Sequence, residues 1–159
     1  MSFRLAFTAV ICGLLLLATF GWAQSEPAQC PHKASDHDAM MQRGEKGMGF
    51  SQAATTHHFL LKPEGGVISV SANDAKDTDS RDHIRMHLRH IARAFSESDF
   101  DIPMFVHDQE PPGVPVMKRL AKEIRYEFRE TDRGGEAAIS SKSTEAVQAI
   151  HDFLAFQIR

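Results

Sequence analysis

The chain has 159 residues, with 18 Lys and Arg against 21 Asp and Glu, for a formal net charge of −3 with histidine neutral. A mildly acidic chain with no basic run excludes nucleic acid as the partner, because phosphate backbones are held by clustered Lys and Arg.

The first 23 residues, MSFRLAFTAVICGLLLLATFGWA, carry one positive charge (Arg4), an apolar run from Leu5 to Phe20, and small residues at Gly21 and Ala23. This is the layout of a secretory signal peptide cleaved after Ala23, and it predicts a periplasmic or secreted protein. The alternative is an uncleaved anchor, since residues 5–23 nearly reach the length of a bilayer span. No other segment could span a membrane, so cleavage leaves no membrane partner. Removing 23 of 159 residues leaves 136, enough for one domain with a real core, and moves the net charge to −4 because Arg4 departs. All nine histidines remain, but of the two cysteines only Cys30 does. Exported proteins usually carry cysteines in pairs. Cys30 is therefore a candidate for an intermolecular disulfide in a homodimer, a metal ligand, or a free thiol.

Residues 24–52 read as a flexible arm. The stretch SEPAQCPHKASDHDAMMQRGEKGMGF is rich in Pro, Gly, Ser and charge and shows no sustained helical or strand period. It holds Cys30, His32, His37, Met40, Met41 and Met48. Thiolate, imidazole and thioether are the ligand types that suit copper in its two oxidation states. The plain alternative is a tether with no specific task.

A single α+β domain is expected over residues 53–159. TTHHFLLKPEGGVISVSAND contains two strand-like runs around the turn signal Pro63–Gly66. With Glu64-Gly65 at the tip, Leu61 pairs with Ile68, Phe59 with Val70 and His57 with Ala72. That register places Leu61, Phe59, Ile68 and Val70 on one apolar face, with His57 on the same face and His58 on the other. A helix follows in DTDSRDHIRMHLRHIARAF, with Thr78 or Ser80 as N-cap and Ile84, Leu88, Ile91 and Phe95 as the buried stripe.

The next stretch, SESDFDIPMFVHDQEPPGVPVMKRLAKE, is a Pro-rich crossover. Met104 to His107 is a candidate extended piece, and Pro115 is placed to begin a short helix reaching about Lys122. The second half then repeats the plan. IRYEFRETDRGGEAAIS is a second strand, Gly-Gly turn and strand, and STEAVQAIHDFLAFQIR is a second amphipathic helix with Val147, Ile150, Leu154 and Ile158 inward. Two pseudo-repeated strand–strand–helix units predict a four-stranded antiparallel sheet with the helices packed on one face.

The candidate chemistry lies in RDHIRMHLRHI. On a helix of 3.6 residues per turn, His83, His87 and His90 centre roughly a quarter-turn from the apolar stripe, at the rim of the core. An i, i+4 histidine pair is a chelating arrangement, a third histidine adds to it, and His57, His107 or Asp108 could complete a set. Arg81, Arg85, Arg89 and Arg93 share the helix and oppose a cation; they suit a small anion instead. A solvated helix face is the plain alternative. The zinc-protease spacing is absent because Ile84 follows His83, and no Cys-x-x-Cys-His run exists for covalent haem, although haem held by histidine alone stays open. There is no Gly-x-Ser-x-Gly elbow and no phosphate loop. The enzymatic parts on offer are His87 or His107 as base with Asp108 as orienter.

The runs MGFSQAATTHHFLL, ANDAKDTDSRDHIRMHLRHIA, FDIPMFVHDQEPPGVPVMKRL and AIHDFLAFQI resemble a family of small exported bacterial proteins with no activity attached to it. The likeness covers about residues 48 to 158 and implies export and a single domain; it transfers no site residue. Three readings follow. The first is an exported metal-binding protein, copper or zinc by preference, with ligands among His57, His83, His87, His90, His107 and Asp108. The second is a binding module for a small anionic ligand or a protein, using Arg85, Arg89 and the Pro-rich loop. The third is a hydrolase-type enzyme using His and Asp.

Overall fold

The computed structural model describes residues 31–158, and side chains from His37 onward. The signal-peptide segment and Cys30 lie outside the described residues. Within them the order is α1 (Pro31–Met48), β1 (Thr55–Lys62), β2 (Gly65–Ala72), α2 (Thr78–Ser96), α3 (Asp101–His107), α4 (Val114–Arg119), β3 (Ile124–Thr131), β4 (Gly134–Ser141) and α5 (Thr144–Phe156). The four strands form one antiparallel sheet in the order β1-β2-β4-β3, so the two hairpins meet along β2 and β4. The α+β class and the four-stranded antiparallel sheet agree with the sequence pattern.

The apolar rows explain this arrangement. Phe59, Ile68, Ala137 and Phe128 lie side by side across the sheet, and one row along lie Leu61, Gly66, Ile139 and Tyr126. Both rows face α2 and α5, which pack on the same side. Ile84, Leu88, Ile91 and Phe95 of α2 are all buried, as their helical spacing predicts. From α5 the core takes Ala146, Ala149, Ile150, Phe153 and Leu154. Ile158, expected inward, lies beyond the end of the helix and is exposed, and the aromatic Phe153 does the packing instead. Phe95, Phe100 and Phe153 form an aromatic cluster, with Phe95 stacked on Phe100 at 4.5 Å between centroids and Phe153 edge-on to both.

The first hairpin turns one residue earlier than the Glu64-Gly65 tip. Pro63 and Glu64 form the turn, and Lys62 pairs with Gly65, Phe59 with Ile68 and His57 with Val70. This displaces the expected register by two residues, and a shift of two leaves every side chain on its expected face. Leu61 then meets Gly66 on an edge strand and stays exposed. The paired glycines are needed for close approach. A Cβ on Gly65 would overlap the carbonyl oxygen of Ile139, and one on Gly134 would overlap that of Val70.

Helix α2 is capped by Asp77 and not by Thr78 or Ser80: the Asp77 carboxylate accepts from the Ser80 amide at 3.0 Å. The crossover also differs from expectation. Met104–His107 is helical as part of α3, with Pro103 in the first turn, where its missing N–H costs nothing. Residues Pro31–Met48, expected to lack regular structure, form α1, which packs on α3. Among the described residues no helix is long and apolar enough to cross a membrane.

Candidate functional site

Helix α1 places His37, Met40, Met41, Gly44 and Met48 along one face, at spacings of three and four residues. That face roofs a cavity of about 440 Å³. The floor is the core side of β1 and β2, with His57, Phe59, Ile68 and Val70. One wall is α2, through His87, Leu88, Ile91 and Phe95, and the other comes from α3 and the end of α5, including Val106, His107 and Gln157. Among the described residues, no carboxylate, Lys or Arg lines it.

Two histidines from different elements meet around Phe50. The His57 ring stacks on Phe50 at 5.9 Å with 18° between planes, and His87 stands edge-on to the same ring at 5.6 Å. Both imidazoles are held below the ordinary histidine range. Burial lowers His87 to about 4, with further lowering from His57 and His90. Burial also lowers His57, and neighbouring His58 adds to it. At neutral pH each is therefore an uncharged ring with one nitrogen lone pair free to accept or ligate. The Nε2 of His57 is buried and has no hydrogen-bond partner. A buried polar atom left unpaired costs about 1–3 kcal/mol, which marks this nitrogen as the atom that awaits a partner.

His107 reaches the same cavity from α3. Its Nε2 lies 2.8 Å from Gln157 Oε1, and the ring sits 4.8 Å from that of Phe156. Gln157 Nε2 donates to the Phe153 carbonyl, which fixes the amide so that its oxygen faces His107 and Nε2 of His107 carries the proton. The expected His107–Asp108 partnership is thus replaced by His107–Gln157. Asp108 is exposed, at a left-handed backbone position (φ 54°) that ends α3.

The rest of the expected ligand set does not converge. His83 is exposed, with its Nδ1 2.9 Å from the Asp79 carbonyl on its own helix, and His90 is exposed as well. Among the described residues, no three His, Cys, Asp or Glu side chains come together as a metal group. The arginines have other work. Arg85 donates to the carbonyls of Thr131 and Gly134 and pairs with Glu130, while Arg89 pairs with Glu130 and lies over the Phe128 ring at 4.9 Å. They fasten α2 to the second hairpin and do not converge on an open anion site.

Phe50, Gln52 and Gln157 belong to the site and were not singled out in the sequence. Gln52 donates to the Met41 carbonyl at 2.9 Å, tying the second half of α1 to the segment that leads into β1. The signal that could have found this roof is the spacing 37, 40/41, 44, 48, a helical stripe written in His, Met and Gly in place of Leu and Ile. Comparison with protein-family models, with curated proteins and with solved structures finds no match to this chain.

Proposed function

We propose that the chain is an exported binding protein that takes a small ligand into the cavity between α1 and the His57–His87 pair. The observation that carries this reading is the cavity of about 440 Å³, whose described lining is mainly apolar and includes His57, a side chain whose buried Nε2 has no hydrogen-bond partner among the described residues. Small-molecule sites are concave and mostly apolar, with a few placed polar groups, and a volume of roughly 300–1,000 Å³ is usual for them. Export is supported by the leader-like sequence of residues 1–23 and by the resemblance over residues 48 to 158. The uncharged state of the two imidazoles favours a ligand that does not bring a carboxylate or phosphate into the cavity, because no guanidinium or ammonium among the described residues lines it.

The test is to titrate the full chain, recovered as the host processes it, with the neutral apolar probe N-phenyl-1-naphthylamine. The expected result is saturable binding of one probe per chain with a raised melting temperature, since a ligand of the native state stabilises it by mass action. Probe binding that leaves the melting temperature unchanged, or no saturable binding by the folded protein, refutes the reading.

A further inference from the structure

We propose that the natural occupant of this cavity is monovalent copper, held by the imidazoles of His57 and His87 together with thioether sulfurs from α1, drawn from Met40, Met41 and Met48. This rests on the cavity-binding reading above and names the ligand. Three observations carry it. The His57 Nε2 is buried with no partner, and His87 shares its surroundings around Phe50. The facing surface of α1 presents three methionines to the same cavity. Among the described residues, no carboxylate lines the cavity to balance a divalent charge.

Ligand chemistry decides which ion fits. Calcium and magnesium demand several oxygen ligands, and the described lining offers side-chain oxygens only from Gln52 and Gln157. Zinc prefers thiolate, imidazole and carboxylate, and no anionic side chain among the described lining residues would offset its double charge. Thioether and imidazole together select Cu(I), which carries a single charge. The metal enters and leaves as Cu(I), so no electron is exchanged. Each nitrogen and sulfur donates a lone pair it already holds, and no proton leaves the neutral ligand atoms.

The cavity is far larger than one ion, which shares a volume nearer that of a water molecule, about 30 Å³. Coordination therefore requires α1 to settle onto the His57–His87 pair. The roof is suited to this: methionine has three rotatable side-chain bonds, and α1 carries Gly44 one turn from its C-terminal end and Gly47 in its last turn. Its polar ties to the rest of the described chain include Arg43 to the Val106 carbonyl and Gln52 to the Met41 carbonyl. Cu(I) binding should consequently protect the amides of α1 from hydrogen exchange.

The experiment is an anaerobic Cu(I) titration of the full chain in a Cys12→Ser/Cys30→Ser background, so that no thiol supplies binding, against the chelator bathocuproine disulfonate. One equivalent of Cu(I) withdrawn from the chelator, insensitivity to added Zn(II), and slowed exchange across α1 are the expected results. Met40→Leu/Met41→Leu/Met48→Leu and, separately, His87→Ala should each weaken retention by at least about tenfold. The leucine variant should still bind N-phenyl-1-naphthylamine, which shows that its cavity is intact. Probe binding without Cu(I) retention overturns the copper assignment and leaves the cavity reading standing. Loss of both in the parent protein overturns both. Retention unchanged in the methionine variant, or displacement by equimolar Zn(II), also overturns the copper assignment.

Discussion

Mild acid should destabilise the fold, and His87 is the main cause. Its ordinary value of 6.5 falls to about 4 in the folded chain through burial. Between those two values the unfolded chain binds more protons than the folded one, so stability rises with pH across the window. The His87 contribution is fully present above about pH 6.5, falls as the pH drops, and levels off below about pH 4. A single group with these two values changes the unfolding free energy by about 2 kcal/mol between pH 7.5 and pH 5. His57 is lowered in the same direction and adds to the slope. The carboxyls of Asp77, Asp82 and Glu127 are held below their usual range by hydrogen bonds from Ser80, Arg81 and Arg129 respectively. They titrate below this window, so it isolates the histidines.

The assay is urea unfolding of chelator-treated protein at half-unit steps from pH 7.5 to 5, repeated for His87→Gln, whose amide cannot titrate. The parent should lose about 2 kcal/mol or more over the range, and the variant should lose markedly less. A flat parent profile, or the same slope in both proteins, would refute the burial argument for His87.

Substitutions at three further positions probe the scaffold. Gly47→Ala should stabilise the protein by about 1 kcal/mol in thermal unfolding, because a Cβ there finds ordinary contact with Val106, Phe105 and Ile102; a loss of stability would mean that α1 does not pack on α3 as described. Gly66→Ala should cost about 1–3 kcal/mol, since its Cβ would run into Leu154 and the carbonyl of Leu60; urea midpoints of the two proteins decide this. Asp77→Ala should cost about 1 kcal/mol through the lost cap on Ser80, and Asp77→Asn should recover most of it.

The scaffold was legible in the sequence where one physical rule dominates. A period of two across a half-buried sheet and a period of 3.6 on α2 leave few alternatives, so Phe59, Ile68, Val70 and the Ile84–Phe95 stripe fall where their spacing puts them. The register error at the first hairpin came from choosing between adjacent turn tips, a choice that period alone does not resolve. It cost nothing in facing because the displacement was even. The N-cap was missed by one residue, since Asp77, Thr78 and Ser80 are all capping types and only backbone geometry separates them. Pro103, Pro111, Pro112 and Pro115 argue against a continuous helix and favour an extended Met104–His107, yet Pro103 occupies a first turn that tolerates it.

The site itself was half legible, for a different reason. Spacing on one helix groups His83, His87 and His90, but tertiary packing separates them: a quarter-turn off the core axis, one residue can be covered while its neighbours a turn away stay wet. Phe50 and β1 cover His87, and nothing comparable covers His83 or His90. The decisive partner, His57, comes from a strand some thirty positions earlier and was placed on the correct face only by strand parity.

The least legible element is also the one that closes the cavity. Helix α1 lacks the Leu and Ile that mark a core helix, carries two glycines towards its C-terminal end, and gains its place through Met48, Gly47 and the Arg43 tie to α3. Its low intrinsic helicity follows from the residues that make it useful: glycine costs about 1 kcal/mol each against alanine, and histidine and methionine are spent on the cavity and not on a packed seam. Elements that open for a ligand are drawn from the low-stability part of a fold, because a roof fixed by a full hydrophobic seam could not lift. The difficulty of reading α1 from composition and its position over His57 and His87 thus have one cause. A strengthened roof, as in Gly47→Ala, should therefore slow probe entry even as it raises the melting temperature, and stopped-flow mixing with N-phenyl-1-naphthylamine measures it. Unchanged or faster entry in a variant shown to be more stable would break the link between the two.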